Sequence, residues 1–191
     1  TVATRIQAYV KTLSTLSVDI TATGSYGSTV TSYRTSLDGV TYTAASFTTS
    51  KKLSASGNMT LTVTGTDSRG RTATYTETLT VLDYSYPSIR LFKADRCNSD
   101  GSAAQLDGTN VRYSLEGGVV SLNNKNALAC VVYYKLASDT EWTKSESLPV
   151  TSYNLSATDK VLTQTFDALA SYDLKVSLQD YFYYVEQAVS I

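Results

Sequence analysis

Residues 59–82 read MTLTVTGTDSRGRTATYTETLTVL, and their alternation specifies paired strands. Met59, Leu61 and Val63 alternate with Thr60, Thr62, Thr64 and Thr66. After a break, Ala73, Tyr75, Leu79 and Val81 alternate with Thr72, Thr74, Thr76, Thr78 and Thr80. A period of two is the signature of a half-buried strand, and here it occurs twice. Threonine is β-branched and tolerates water, so it suits the solvent face of a pleated surface. Between the runs, Asp67-Ser68-Arg69-Gly70 supplies a turn in which the Asp67 carboxylate can accept a backbone N–H two residues on. The expectation is an antiparallel hairpin. Glu77 is the misfit: it lies in phase with the apolar face, which predicts a bulge or an edge position there.

Working outward, Arg5–Val10 reads as a first strand with Ile6, Ala8 and Val10 on one face, an edge able to pair with a neighbour. Leu16–Thr23 reads as a second strand. Gly24-Ser25-Tyr26-Gly27-Ser28 breaks the pattern. Val30–Leu37 resumes it, and Asp38-Gly39 marks a tight hairpin into Val40–Tyr42. Phe47–Leu53 predicts a further short strand. Leu82–Ser88 (LDYSYPS) reads as a junction, because Pro87 lacks a ladder donor and holds Tyr86 extended. Beyond it, strands are expected over Ile89–Ala94, Asn110–Glu116, Ala127–Lys135, Glu141–Glu146, Leu162–Phe166, Ser171–Gln179 and Tyr183–Ile191, with a single helical turn over Tyr153–Asp159. Tyr172 sits in phase with Leu174, Val176 and Leu178, as in the tyrosine corner of β-sandwiches. The resulting expectation is all-β: two consecutive immunoglobulin-like (fibronectin type III-like) β-sandwich domains, residues 1–84 and 85–191.

Composition narrows the function classes. With 16 basic and 17 acidic residues the net charge is −1, which offers no footprint for nucleic acid or an anionic membrane surface. No apolar run approaches the ~20 residues of a membrane-spanning helix, and no signal-peptide pattern opens the chain. Thr1 in place of an initiator Met gives the expectation of a segment from a longer polypeptide. Histidine is absent, so a Ser-His-Asp or Cys-His site is excluded within this segment. The acids that remain fall mostly in turns and on polar strand faces, so a carboxylate enzyme is not expected. Cys97 and Cys130 are too few for a disulfide framework and lack zinc spacing. They read as free thiols in apolar strands, with a mutual pair as the alternative.

Two further features suggest a ligand. In Arg96-Cys97-Asn98-Ser99-Asp100-Gly101, Asn98, Asp100 and Asp107 match part of a calcium loop, but Arg96 places a cation where the first oxygen donor belongs. A polar turn is the expected reading, and Asp83 and Asp95 beside the junction are the carboxylates left for a calcium site of other design. No metal or cofactor is expected. Tyr181-Phe182-Tyr183-Tyr184, Tyr133-Tyr134 and Trp142 offer flat faces for sugar contact. Because successive strand residues face opposite ways, about half of these rings belong to the core.

Four runs, TDSRGRTAT (Thr66–Thr74), VLDYSYPSI (Val81–Ile89), RCNSDGS (Arg96–Ser102) and SLNNKNA (Ser121–Ala127), give the chain a family likeness. In this order it resembles the tandem immunoglobulin-like modules of siphophage tail proteins, the minor structural or tail-tip proteins of phages and prophages of Gram-positive bacteria. The likeness covers about residues 16–135. It implies a non-enzymatic part that spaces, stiffens or decorates a tail fibre or baseplate, partnered by other tail or baseplate proteins and in some cases by host cell-wall polysaccharide. It implies a virion component assembled in the bacterial cytoplasm, where disulfides bring nothing to folding. The alternatives are a carbohydrate-binding adhesin module on a bacterial surface and an accessory domain beside a hydrolase.

Overall fold

The computed structural model describes residues 2–104 and 107–191, and the chain divides into two compact units, Thr1–Tyr84 and Ser85–Ile191. In the first unit, α1 (Val2–Ile6) precedes β1 (Tyr9–Val10), β2 (Ser17–Asp19), β3 (Val30–Leu37), β4 (Val40–Tyr42), β5 (Ser46–Thr48), β6 (Gly57–Asp67) and β7 (Thr72–Leu82). One sheet has the order β1-β7-β6-β3-β4, and β2 pairs with β5 in a second. The alternation of residues 59–82 is realised directly: β6 and β7 pair antiparallel from Gly57↔Val81 to Thr66↔Thr72 with no register shift. Met59, Leu61, Val63, Leu79 and Val81 point inward and pack with Leu16, Val18, Leu37 and Leu53. Each such side chain contributes about 1.5–3 kcal/mol on burial.

The turns follow from their residues. Asp67 Oδ1 accepts the N–H groups of Arg69 and Arg71, both at 2.9 Å, while Arg71 Nε donates to Oδ2 at 2.8 Å. At the other hairpin Asp38 and Gly39 have φ of 50° and 73°, the two positive values a type I′ turn requires. The Asp38 carboxylate accepts the Ser54 N–H and hydroxyl, each at 2.7 Å, fastening that turn to the following corner.

Three expectations change in this unit. Arg5–Val10 is not a strand: the chain is helical to Ile6, reverses at Gln7 (φ 55°) and leaves only Tyr9–Val10 to pair, parallel, with Val81–Leu82. Ile6 and Val10 share a face at four-residue spacing in either conformation, and so short a run could not discriminate between them. Leu16–Thr23 pairs only over Ser17–Asp19, because its partner β5 is equally short. Phe47–Leu53 likewise pairs only at Ser46–Thr48. Beyond it, Thr49 turns inward, its N–H donating to the Leu16 carbonyl at 2.8 Å and its hydroxyl accepting the Leu16 N–H at 3.0 Å. Glu77 sits at an open edge with no bulge.

The second unit contains β8 (Ser88–Cys97), β9 (Asn110–Gly118), β10 (Ala129–Leu136), β11 (Thr143–Leu148), β12 (Asn154–Val161), β13 (Tyr172–Gln179) and β14 (Tyr184–Ser190). A four-stranded sheet, β11-β10-β13-β14, faces a three-stranded sheet, β12-β9-β8. Phe92, Val111, Tyr113, Leu115 and Leu155 from one sheet meet Cys130, Val132, Leu148, Leu174, Val176 and Leu178 from the other in a single core. At Gly117 the sheets approach so closely that a Cβ would stand 2.6 Å from Leu178 Cδ1 and 2.9 Å from the Ser88 carbonyl oxygen.

Two assignments here are corrected. Tyr153–Asp159 is not a helical turn; Asn154–Val161 is a strand whose pairing to β9 shifts between Ala157 and Lys160, where Asp159 takes φ 46°. Leu162–Phe166 is not a strand. Leu162 and Phe166 donate single backbone bonds to Val111 (2.8 Å) and Thr109 (2.7 Å) and bury their side chains, so the apolar spacing marked core, not ladder.

Candidate functional site

Within the RCNSDGS run, Asn98–Ser102 forms a turn braced by Arg112, whose Nη1 donates to the Gly101 carbonyl at 3.0 Å. Asp100 Oδ1 accepts the Ser102 N–H at 2.9 Å and its hydroxyl at 2.7 Å, and these bonds hold the Asp100 carboxyl below its ordinary range. Asn98 Nδ2 donates to the Ser102 hydroxyl at 2.9 Å. Arg96 points elsewhere: its Nη2 donates to the carbonyls of Ala170 (2.7 Å) and Asp167 (3.3 Å) and its Nη1 to Gly108 (3.4 Å). The guanidinium also lies 5.6 Å from the Phe166 ring centroid and 5.3 Å from that of Tyr172. Arg96 therefore anchors the 167–170 loop, a role invisible in sequence because every acceptor is a backbone carbonyl distant along the chain. Tyr172 supplies a ring to this stack and to Phe166 at 5.0 Å, and among the described residues no hydrogen bond of its phenol completes a tyrosine corner.

Of the remaining acids, Asp83 pairs with Lys11 at 3.1 Å, and that hydrogen bond and charge lower its carboxyl. Asp95 lies in the other unit. Among the described residues no three His, Cys, Asp or Glu side chains converge as metal ligands would. Cys97 and Cys130 are both buried free thiols. Desolvation raises both, and Cys130 is pushed up to about 12, which keeps it protonated and unreactive.

Beside Cys130 lies a polar cluster that joins the two sheets. The Tyr113 hydroxyl, on β9, donates to Glu146 Oε1, on β11, at 2.6 Å, and Lys160 on β12 binds Glu146 Oε2. Burial and this acceptor raise the Tyr113 phenol well above its ordinary range. The group acts as a cross-sheet tie.

The aromatic runs divide as strand alternation requires. Tyr134 turns inward onto Phe166, ring centroids 5.4 Å apart. Tyr133 faces outward with Trp142, but these rings are already engaged: Lys175 Nζ lies 5.2 Å from Tyr133 and 4.8 Å from Trp142, and Lys135 Nζ lies 5.4 Å from Trp142. The lysines are in turn held by Glu186 (3.2 Å) and Asp173 (3.1 Å). A second aromatic group stands at the β13–β14 hairpin. Asp180 Oδ1 accepts the N–H groups of Phe182 (2.7 Å) and Tyr183 (2.8 Å), Asn126 braces Asp180 from the β9–β10 connection at 3.2 Å, and Tyr183 meets Tyr86 edge-on at 4.6 Å. Tyr181, Tyr183 and Tyr184 keep 47%, 37% and 69% of their surface exposed.

A concavity opens in the first unit, where the sequence pointed to no site. A groove of about 440 Å³ runs between β7 and the segment after β2, floored by Leu61, Val63 and Tyr33 and walled by Val18, Ile20 and Tyr75. Asp19 and Glu77 are its charged residues. Asp19 accepts a hydrogen bond from the Ser46 hydroxyl, whereas Glu77 has no partner among the described residues. A second groove of about 300 Å³ continues past Gly65 toward the Asp67–Arg71 pair. The one legible signal was Glu77, an acid in phase with apolar neighbours.

No helix among the described residues is long and apolar enough to cross a membrane. Sheet-on-sheet packing with sites confined to grooves, turns and exposed rings defines an all-β protein of sandwich type, a class that fits many functions. Among solved structures, the crystal structure of chicken CNTN1 FN1-FN3 domains is similar, at 12% identity and a TM-score of 0.36; the match covers 96% of this chain and 64% of that one. Among curated proteins nothing matches. Over residues 1–191 the sequence matches the family described as "Siphovirus protein of unknown function (DUF859)", and the chain belongs to that family.

Proposed function

We propose that this chain is a non-enzymatic structural module of a phage tail or baseplate protein, built of two consecutive immunoglobulin-like (fibronectin type III-like) sandwiches that space neighbouring parts or present a host-contacting surface. Membership of a siphovirus family along residues 1–191 carries the reading. The four-and-three strand division of the second unit supports the fold part of it. A net charge of −1 and threonine-rich outer strand faces suit a part that must not adhere indiscriminately. Its partners are other tail or baseplate proteins, and its place is the virion. Immunogold electron microscopy of particles of a phage encoding this chain, with antibody raised against residues 1–191, tests the reading. Label on the tail or baseplate is expected; label confined to the capsid, or particles lacking the chain, would refute it.

A second reading, contact with host cell-wall polysaccharide in the manner of an adhesin, draws on the exposed Tyr181, Tyr183 and Tyr184. Saturable binding to isolated host walls, weakened by Tyr184→Ala, is its expected outcome; equal binding by that variant counts against it.

A further inference from the structure

We propose that the first unit is a strand acceptor: the seam between β7 and residues 18–25 takes an extended segment of a partner protein, with alternating apolar side chains and one Lys or Arg set against Glu77. The proposal stands on the geometry of this unit and does not depend on the tail assignment.

The seam is an incomplete sandwich edge. β1 pairs with β7 only at Val81 and Leu82, so the β7 edge from Thr72 to Leu79 has no neighbouring strand. In an antiparallel strand every second residue turns its N–H and C=O away from its partner, so this edge presents a row of open donors and acceptors. Opposite it, Thr21, Ala22 and Thr23 make no hydrogen bond among the described residues. Inward side chains of β7 itself are exposed as well. Leu79 and Val81 are buried, but Ala73, Tyr75 and Glu77, which continue the same face of β7, are exposed, with Tyr75 at 61%. Below them Leu61 and Val63 form an apolar floor. The eight residues from Thr72 to Leu79 extend about 25 Å, the reach of one ordinary strand. The two grooves follow one another along this line, both lined by Ala22, Gly65 and Ala73.

The seam's chemistry selects the occupant. An open edge above an apolar floor is the acceptor half of β-strand addition, in which main-chain bonds give affinity and alternate side chains give specificity. Of the two carboxylates on the first groove, Asp19 is bonded to Ser46 whereas Glu77, beside Tyr75 and Ala73, has no partner among the described residues, and no Lys or Arg lines that groove. A cation at the facing position of the incoming strand completes it. A second copy fits poorly: β7 itself carries no Lys or Arg between Thr72 and Leu82, so pairing two such edges leaves both Glu77 carboxylates unmatched. The other strands of the chain lie within sheets already. An extended, unpaired segment of another polypeptide meets both demands.

The test uses the 191-residue chain and a fluorescein-labelled peptide, Thr-Val-Thr-Val-Thr-Lys-Thr-Val-Thr-amide, followed by anisotropy. Saturable binding is expected. Replacing the peptide Lys with Glu should weaken it about tenfold, Glu77→Gln should erase that preference, and Glu77→Lys should reverse it. N-methylation of alternate peptide amides should abolish binding in at least one phase, since it removes donors and leaves side chains intact. Far-UV circular dichroism checks that both variants fold. Absence of saturable binding, indifference to N-methylation, or an unchanged Lys-over-Glu preference in both variants would overturn the proposal. So would a concentration-dependent dimer in sedimentation that Thr76→Pro dissolves, because that result gives the edge to a second copy.

Discussion

Replacing Tyr113 with Phe removes one oxygen from the middle of the second unit and should cost that unit about 1.5 kcal/mol. The ring is 1% exposed and stays in place, so no cavity opens. What disappears is the 2.6 Å hydrogen bond to Glu146 that links the two sheets. Hydrogen bonds to charged acceptors contribute about 1.5–3 kcal/mol. The lower end applies here, because Glu146 keeps Lys160 and its side chain is 26% accessible, so the carboxylate is not stranded. Urea unfolding followed by the fluorescence of Trp142, the only tryptophan and a residue of the second unit, reads this unit directly. With a slope of about 1–3 kcal/mol/M, the midpoint should fall by roughly 0.5–1.5 M at unchanged slope. Tyr133→Phe, on the outer face, should stay within about 0.5 kcal/mol of the parent. In a cycle with Glu146→Leu the two changes should couple by more than about 1 kcal/mol. A Tyr113→Phe loss no larger than that of Tyr133→Phe, or absence of coupling to Glu146, would refute the cross-sheet tie.

The other expectations concern titration and burial. Cys130, raised to about 12 from an ordinary value of 9.0, and Tyr113, also raised, are protonated in the fold. The stability they add is complete below pH 9; the Cys130 share is lost as pH climbs above 9 and the Tyr113 share as it climbs above 10, each by up to about 1.4 kcal/mol per pH unit. Alkaline urea titrations should show this decline, shallower in Cys130→Ala. For Asp67, desolvation raises the carboxyl, but bonds from the Arg71 side chain and backbone, Ser28 and Arg69 prevail and bring it to about 2. Its contribution holds above pH 4 and fades between pH 4 and 2. Carboxyl NMR should find this low value, and Arg71→Ala should move it back toward 3.8. Thr35 buries its hydroxyl completely with no partner among the described residues, so Thr35→Val should raise the stability of the first unit by about 1–2 kcal/mol in calorimetry.

Where side-chain period and turn chemistry act within a hairpin, the fold was legible. The β6–β7 pair, the Asp38-Gly39 turn and the inward faces of β10 and β13 all stand as the alternation has them. Local pattern failed where a partner elsewhere in the chain decides. Asn154–Val161 carries Ala157, Asp159 and Lys160, poor strand formers, and becomes a strand only because β9 offers an edge with room for a bulge. Ile6 and Val10 fit a helical turn as well as a strand, and packing chose between them. The candidate sites were less legible than the fold. Arg96 reads as an obstacle to calcium and proves to be the clamp of the 167–170 loop. Trp142 reads as an open face and proves to lie against two lysines. Both outcomes rest on contacts between residues far apart in sequence.

The two units differ in how far one sheet covers the other. In the second unit both sheets supply large side chains, from Phe92, Tyr113 and Leu115 on one to Leu174, Val176 and Leu178 on the other, and they meet along the whole interface. In the first, β2 and β5 are three residues each against a hairpin whose strands are eleven residues long, and the inward face is buried along β6 from Met59 to Val63 but on β7 only at Leu79 and Val81. On the rest of β7, Tyr75 and Glu77 lie exposed in phase with the core. A threonine on the outer face of such a strand is at home in water, whereas an inward-facing tyrosine left exposed forgoes roughly 1.5–3 kcal/mol of burial. That unrealised burial is recovered only if something covers it, and a strand is the shape that also satisfies the backbone of the edge. An occupant at a hundred times its dissociation constant would add about 2.7 kcal/mol to the first unit. The less covered unit would then be the one whose stability depends on assembly.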